Sequence, residues 1–333
     1  MSMELVCPAG SLSALRQAVD HGADSVYLGF RDATSARNFS GLNFDDESLL
    51  EGIAYAHGRG KKVFLALNTY PKPDKLPAWK KAVDRALQAG ADAIIVADLA
   101  ILQYAAKTYP ELQLHLSVQA SATHAQAINF YSDHFGIRRA ILPRVLSVEQ
   151  IAEVVRNTQV EIEVFGFGSL CVMAEGRCSL SSYVTGQAPN NSGICSPASA
   201  VRWQQTSLGL ESRLNNVLLN RYAEHEGRSY PTVCKARLEV AGDNYYAIEE
   251  PTSLNALALL PELMKAGVSA IKIEGRQRSP AYVAQVSKIW REAIDQCMNP
   301  AMGFLPDPAW MTGLEQIAEG QQYTPGAYHR SWK

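Results

Sequence analysis

Eight short apolar runs recur along the 333 residues, each followed by an amphipathic stretch, and few folds accommodate that alternation. The runs are 4–7, 25–28, 62–67, 93–96, 114–118, 139–142, 161–165 and 270–273. They are rich in Val, Ile, Leu or Phe and bounded by turn residues, as strands buried on both faces are. Helices are predicted between them at 12–21, 47–58, 78–89, 99–107, 125–134, 147–156 and 254–265, with a last one at 280–298. Ser147 with Gln150 three residues on reads as a capping box, and Ser279-Pro280 as an N-cap with proline in the first turn. Pro261 is expected to kink or divide its helix, and Gly22, Gly90 and Gly267 to end theirs.

Eight strand–helix units without an early Gly-x-Gly-x-x-Gly turn predict an α/β fold, a parallel (β/α) eight-stranded TIM-type barrel. A doubly wound open sheet uses the same alternation and is the alternative. One interval breaks the rhythm. From 166 to 253 the chain carries four cysteines and scattered Gly, Pro and Asn, so a cysteine-bearing insertion is expected after strand seven. That position is the C-terminal face, where barrels build their sites. The expected organisation is a barrel over 1–299 that includes the 166–253 insertion, then a tail over 300–333 packing on the barrel or on a partner.

Within the insertion, six residues separate Cys171 from Cys178, sixteen separate Cys178 from Cys195, and thirty-eight separate Cys195 from Cys234. Four thiolates from loops can hold zinc or an iron–sulfur cluster, and four cysteines without a joint role are the third reading. None of the gaps is the two to four residues of a zinc knuckle, which favours the larger group. Cys7 and Cys297 lie outside and read as buried small hydrophobes.

The segment Glu163-Val-Phe165-Gly-Phe-Gly168-Ser169-Leu170-Cys171, continued by Gly176-Arg-Cys178-Ser-Leu180-Ser181, resembles the signature of the collagenase-like peptidase family. The opening Leu5-Val-Cys7-Pro-Ala-Gly10 and Gly22-Ala-Asp24-Ser-Val-Tyr27-Leu-Gly29 are similar to that family's N-terminal pattern. Cys195-Ser-Pro-Ala, Arg202-Trp-Gln-Gln, Glu249-Glu-Pro-Thr-Ser-Leu-Asn and Lys272-Ile-Glu-Gly-Arg-Gln-Arg-Ser-Pro-Ala-Tyr resemble its UbiU-like branch, which serves oxygen-independent ubiquinone biosynthesis. The resemblance implies a 4Fe-4S cluster on Cys171, Cys178, Cys195 and Cys234. It also implies a UbiV-like protein as heterodimer partner, a ubiquinone precursor as ring substrate, and prephenate as a candidate oxygen donor. Other members of the family hydroxylate RNA bases, and a non-catalytic scaffolding subunit is a further alternative. The chain has neither a His-Glu-x-x-His helix nor a Gly-x-Ser-x-Gly elbow, which argues against peptide hydrolysis. His115, alternating with apolar neighbours, reads as a satisfied barrel residue.

Polar side chains recur just past the strand runs: Asn68, Asp98, Gln119, Arg144, Glu274 and Arg276, with Arg37 and Asn38 in the loop after strand two. In a barrel these positions ring one mouth. Arg37, Arg144 and Arg276 are expected to present guanidinium forks to carboxylates, as a dianion such as prephenate requires, with Asn68 and Gln119 among the substrate-binding residues. Asp98 and Glu274 are the expected catalytic carboxylates, for proton transfer or for orienting those arginines.

The formal net charge is −2, from 31 basic and 33 acidic residues, which does not resemble the basic footprint of a nucleic-acid binder. No charged, apolar leader opens the sequence and no run of eighteen apolar residues occurs, so a cytoplasmic protein without a membrane span is expected.

Overall fold

The computed structural model describes residues 3–171, 173, 175, 177–299 and 303–329. The first strands are β1 (Glu4–Pro8), β2 (Ser25–Leu28), β3 (Lys62–Leu67), β4 (Ala93–Val96), β5 (Gln113–Leu116), β6 (Arg139–Ile141) and β7 (Glu161–Ser169). They alternate with α1 (Leu12–Asp20), α2 (Asp46–His57), α3 (Leu76–Gln88), α4 (Leu99–Thr108), α5 (Ala125–Phe135) and α6 (Val148–Arg156). Each helix lays an apolar stripe on the strands. In α1 the stripe is Ala14, Leu15, Ala18 and Val19, behind a Ser11 N-cap. The Ser147–Gln150 capping box is formed in full.

The excursion after β7 holds α7 (Ser179–Thr185), α8 (Pro189–Ser192), then β8 (Val201–Thr206), β9 (Gly209–Leu214) and β10 (Val217–Tyr222), an antiparallel sheet in the order β10-β9-β8. A hairpin of β11 (Arg237–Val240) and β12 (Asp243–Tyr246) follows. The excursion has a small core of its own around Ala200, Leu214, Leu219 and Ala236. The chain returns through β13 (Ser253–Asn255), α9 (Leu260–Lys265), β14 (Ala270–Ile273) and α10 (Pro280–Cys297). β14 pairs in parallel with both β7 and β1, closing an all-parallel barrel of eight strands.

The stretch 254–265 is not one helix. Leu254 belongs to β13, which pairs antiparallel with the extra residues of β7, Leu254 opposite Gly168. Because β7 runs on to Ser169, it offers a paired edge that a helix there would leave unmet. Pro261 opens α9 in its first turn instead of breaking it, where its missing N–H costs nothing.

The barrel interior is charged. Arg139 reaches Glu4 at 2.6 Å, Glu161 at 2.7 Å and Glu163 at 3.2 Å, and Lys272 reaches Glu163 at 2.8 Å. His115 lies against the Phe64 ring with its Nδ1 unpartnered among the described residues, so it is not the fully satisfied residue that the sequence suggests. Cys7 is buried beside Ser287, whereas Cys297 is only partly buried. In the tail, α11 (Pro308–Ile317) precedes β15 (Tyr323–Thr324), which adds a parallel strand to β13. The Tyr328 hydroxyl donates to the Phe165 carbonyl at 2.6 Å, and Glu319 accepts from Lys235 of the excursion. The tail therefore ties excursion and barrel together.

Candidate functional site

Glu274 leaves β14 where Gly168 of β7 passes it. A Cβ on Gly168, whose φ is +132°, would stand 2.5 Å from the Glu274 Cβ, so only glycine permits the approach. The carboxylate accepts from the Ser169 N–H at 3.1 Å and the Gln277 amide at 3.0 Å, and faces the Arg37 guanidinium at 3.5 Å. Burial would raise its pKa, but Arg37 and Arg144 outweigh burial and hold it below the carboxylate range. Held ionised, Glu274 suits orienting the arginines better than delivering a proton.

Arg37 adopts a left-handed backbone (φ 64°), fixed by its N–H donating to the Gly193 carbonyl at 2.9 Å and its carbonyl accepting from Asn43 at 3.2 Å. Burial would lower its guanidinium pKa, but Glu274, Cys195 and Cys171 together raise it, which places two of the four thiols within electrostatic reach of this side chain. Arg276 is spent differently. Its Nη1 donates to Ser35 at 2.8 Å and Asn43 at 3.3 Å, and its Nη2 donates to the Ala36 carbonyl. Its fork therefore shapes the loop carrying Arg37, and Asn68 does likewise by accepting from the Ala36 N–H at 2.9 Å. Burial pulls the Arg276 pKa down to about 10, which still leaves it cationic at neutral pH.

Arg144 lies flat on Phe165, 3.6 Å from the ring centroid, with its Nη1 2.5 Å from the Glu175 carboxylate. Among the described residues its buried Nε has no partner, and neither has the buried Oε1 of Gln119. Buried polar atoms left open at a barrel mouth are where a ligand completes the hydrogen bonding. Asp98 stands apart from this group: its carboxylate accepts from the N–H groups of Ala100 and Ile101 and caps α4. Glu175, Phe165 and Tyr70 join the site beside the residues that strand-end position marks. Glu175, lying between Cys171 and Cys178, was the one with a visible signal.

The four cysteines are free thiols. Cys171 follows β7, Cys178 caps α7 with its Sγ accepting the Ser181 N–H at 3.3 Å, Cys195 follows α8, and Cys234 sits in the turn Val233–Lys235. The Ser181 hydroxyl donates to the Cys195 carbonyl, joining two of these segments. Burial raises the Cys234 pKa, and Cys195 and Cys178 push it the same way, so those three thiols share one neighbourhood. Among the described residues no three His, Cys, Asp or Glu side chains are drawn in to hold a single metal ion.

The model of peptidase family U32 matches residues 10–332. The chain belongs to that family. Its U32 relatives include an uncharacterized protease of Methanocaldococcus jannaschii, 36% identical over 302 residues, a match that spans 89% of this chain and 66% of that protein. The tRNA hydroxylation protein P of Escherichia coli is 34% identical over 349 residues, covering 98% of this chain and 74% of that protein. A 23S rRNA 5-hydroxycytidine synthase of Escherichia coli is 31% identical over 293 residues, 88% of this chain and 39% of its own length. Hydroxylation is thus named in U32 proteins that match nearly the whole chain. Among the described residues, no helix of this U32 protein is long and apolar enough to cross a membrane.

Proposed function

We propose that this chain is the iron–sulfur subunit of an oxygen-independent hydroxylase. It acts in the cytoplasm with a UbiV-like partner on the ring of a ubiquinone precursor, and prephenate is the candidate oxygen donor. The observation that carries the reading is the placement of Arg144, whose open Nε sits at the barrel mouth while Nη1 is held by a carboxylate of the cysteine loop. A dianionic donor matches a mouth where Arg37 and Arg144 face one another's carboxylates.

Four free thiols carried on loops and turns are a donor set of the kind a 4Fe-4S group takes. Cys171, Cys178, Cys195 and Cys234 would hold it, and the bound group would supply electron transfer. The protein's own part is to bind the donor's carboxylates through Arg144 and Arg37, with Glu274 fixing the Arg37 fork. Gly168 and Arg276 set the backbone on which those groups stand.

The test is complementation of a deletion strain grown without oxygen, followed by quinone analysis. Wild-type chain restores hydroxylated quinone, whereas Cys171→Ala and Arg144→Ala do not; full restoration by both variants would refute the proposal. The names of the relatives favour a second reading, hydroxylation of an RNA base. Mass spectrometry of RNA from the same strain decides it, since a missing hydroxylated base would replace the quinone reading. Purified chain given donor and acceptor, with and without its partner, separates catalysis from scaffolding.

A further inference from the structure

Beside the mouth, a cavity of about 980 Å³ opens between the loops after β2 and β3, the start of α3, and the excursion around α8. None of the arginines or cysteines described above lines it. Its walls are built jointly by barrel and excursion: the Tyr70 N–H donates to the Asn190 carbonyl at 2.8 Å, and the Asn191 amide donates to the Tyr70 carbonyl at 2.7 Å. The Tyr70 hydroxyl donates to the Gln119 carbonyl at 2.9 Å, so one side chain stands between this cavity and the mouth. Trp79, part of the wall, is fixed by donating its indole N–H to the Thr69 carbonyl at 3.0 Å.

The lining is apolar at Ala33, Ala78, Trp79 and Ala188, and its charges do not balance. Arg85 is occupied by Asp46 at 2.6 Å and Asp32 at 3.1 Å, which leaves that wall one negative charge in excess. Lys75 turns to Asp74 at 3.3 Å. Lys72 and Lys81, also at the rim, have no ion partner among the described residues and, set against that excess carboxylate, leave a surplus of one positive charge over an apolar floor. The volume is at the upper end for small-molecule sites, which run to about 1,000 Å³.

We propose that this cavity binds an amphipathic anion, an apolar body carrying a carboxylate or phosphate head that Lys72 and Lys81 receive. The site is additional to the arginine mouth. Occupancy would be felt there through Tyr70, the residue shared by both.

Laurate, dodecyl phosphate and dodecylamine are titrated into the anaerobically purified chain and binding is followed by calorimetry. Saturable binding of laurate or dodecyl phosphate, the tighter one naming the head group, is expected, with dodecylamine weaker. The charge reversal Lys72→Glu/Lys81→Glu weakens that binding by about tenfold or more. Ala78→Trp, which fills the cavity from an exposed helix position, weakens it without altering charge. Equal affinity for the amine, or anion binding unchanged in both variants, would overturn the site. So would an oligoribonucleotide that binds in place of the amphiphiles and is lost on charge reversal. Quinone or RNA hydroxylation is not the readout, so failure here and failure of the hydroxylase reading are separate results.

Discussion

The Nη1 of Arg144 lies 2.5 Å from the Oε1 of Glu175, so the barrel mouth and the loop between Cys171 and Cys178 share one buried ion pair. Phe165 covers the other face of the guanidinium. Removing the carboxylate strands a desolvated cation, which costs about 3–5 kcal/mol. Glu175→Ala should therefore lower the urea midpoint at unchanged slope. The double variant Arg144→Met/Glu175→Ala should recover most of the loss, because it removes the stranded charge as well. A Glu175→Ala midpoint equal to wild type would show that the pair is not formed.

Asp98 separates a structural role from a chemical one. As the cap of α4, it should cost about 1 kcal/mol when changed to alanine, and Asp98→Ser should restore the stability by capping in its place. Hydroxylation is expected to survive Asp98→Ser. A stable serine variant without activity would return Asp98 to the chemistry.

Gly168→Ala tests the Glu274 approach. A left-handed φ and a Cβ within 2.5 Å of the Glu274 Cβ cannot both be relieved locally. The expected outcome is a loss of about 1–3 kcal/mol, with hydroxylation reduced further than at Gly41→Ala, where an added Cβ meets nothing within 4 Å. Equal effects at the two positions would exclude the crowding.

Acid should weaken the fold through the barrel interior. Burial takes His115 well below its ordinary 6.5, with Arg139 and Lys272 adding to it. Burial would raise Glu163 and Glu4, but Lys272 and Arg139 beside the first, and Arg139 beside the second, hold both below 4.5. All three folded values lie under the unfolded ones, so the unfolded chain takes up more protons as pH falls. Stability from His115 is fully present above 6.5 and drains as pH drops below it; that from the carboxylates is present above 4.5 and is lost lower still. Urea midpoints measured from neutral pH downward should show the decline, and His115→Phe should flatten its first part. A wild-type profile flat through 6.5 would contradict this.

The barrel was readable because parallel strands buried on both faces leave apolar runs, and β2, β3, β4 and β14 match their runs to the residue. β13 was hidden because Ser253–Asn255 has no strand pattern of its own and exists by pairing with the end of β7. The excursion's sheet was missed for a related reason: β8 reads Val-Arg-Trp-Gln-Gln-Thr and is largely exposed, so no apolar face marks it. At the site, position past a strand end singled out Arg144, Glu274 and Arg276, and the loop after β2 singled out Arg37; of these arginines, Arg37 and Arg144 act on the Glu274 carboxylate. What such position does not encode is which fork is open: Arg276 is consumed by Ser35, Asn43 and Ala36, and Asp98 by its helix. Those assignments arise from loop backbone, which residue type does not specify.

The most direct measurement is the iron and acid-labile sulfide content of the chain purified without oxygen, alongside Cys171→Ala, Cys178→Ala, Cys195→Ala and Cys234→Ala. The expected result is about four iron and four sulfide per wild-type chain, as a 4Fe-4S group with four thiolate ligands requires, and a marked loss in every variant. A folded wild-type chain devoid of iron, or variants that keep the full complement, would contradict a cluster held by these four residues.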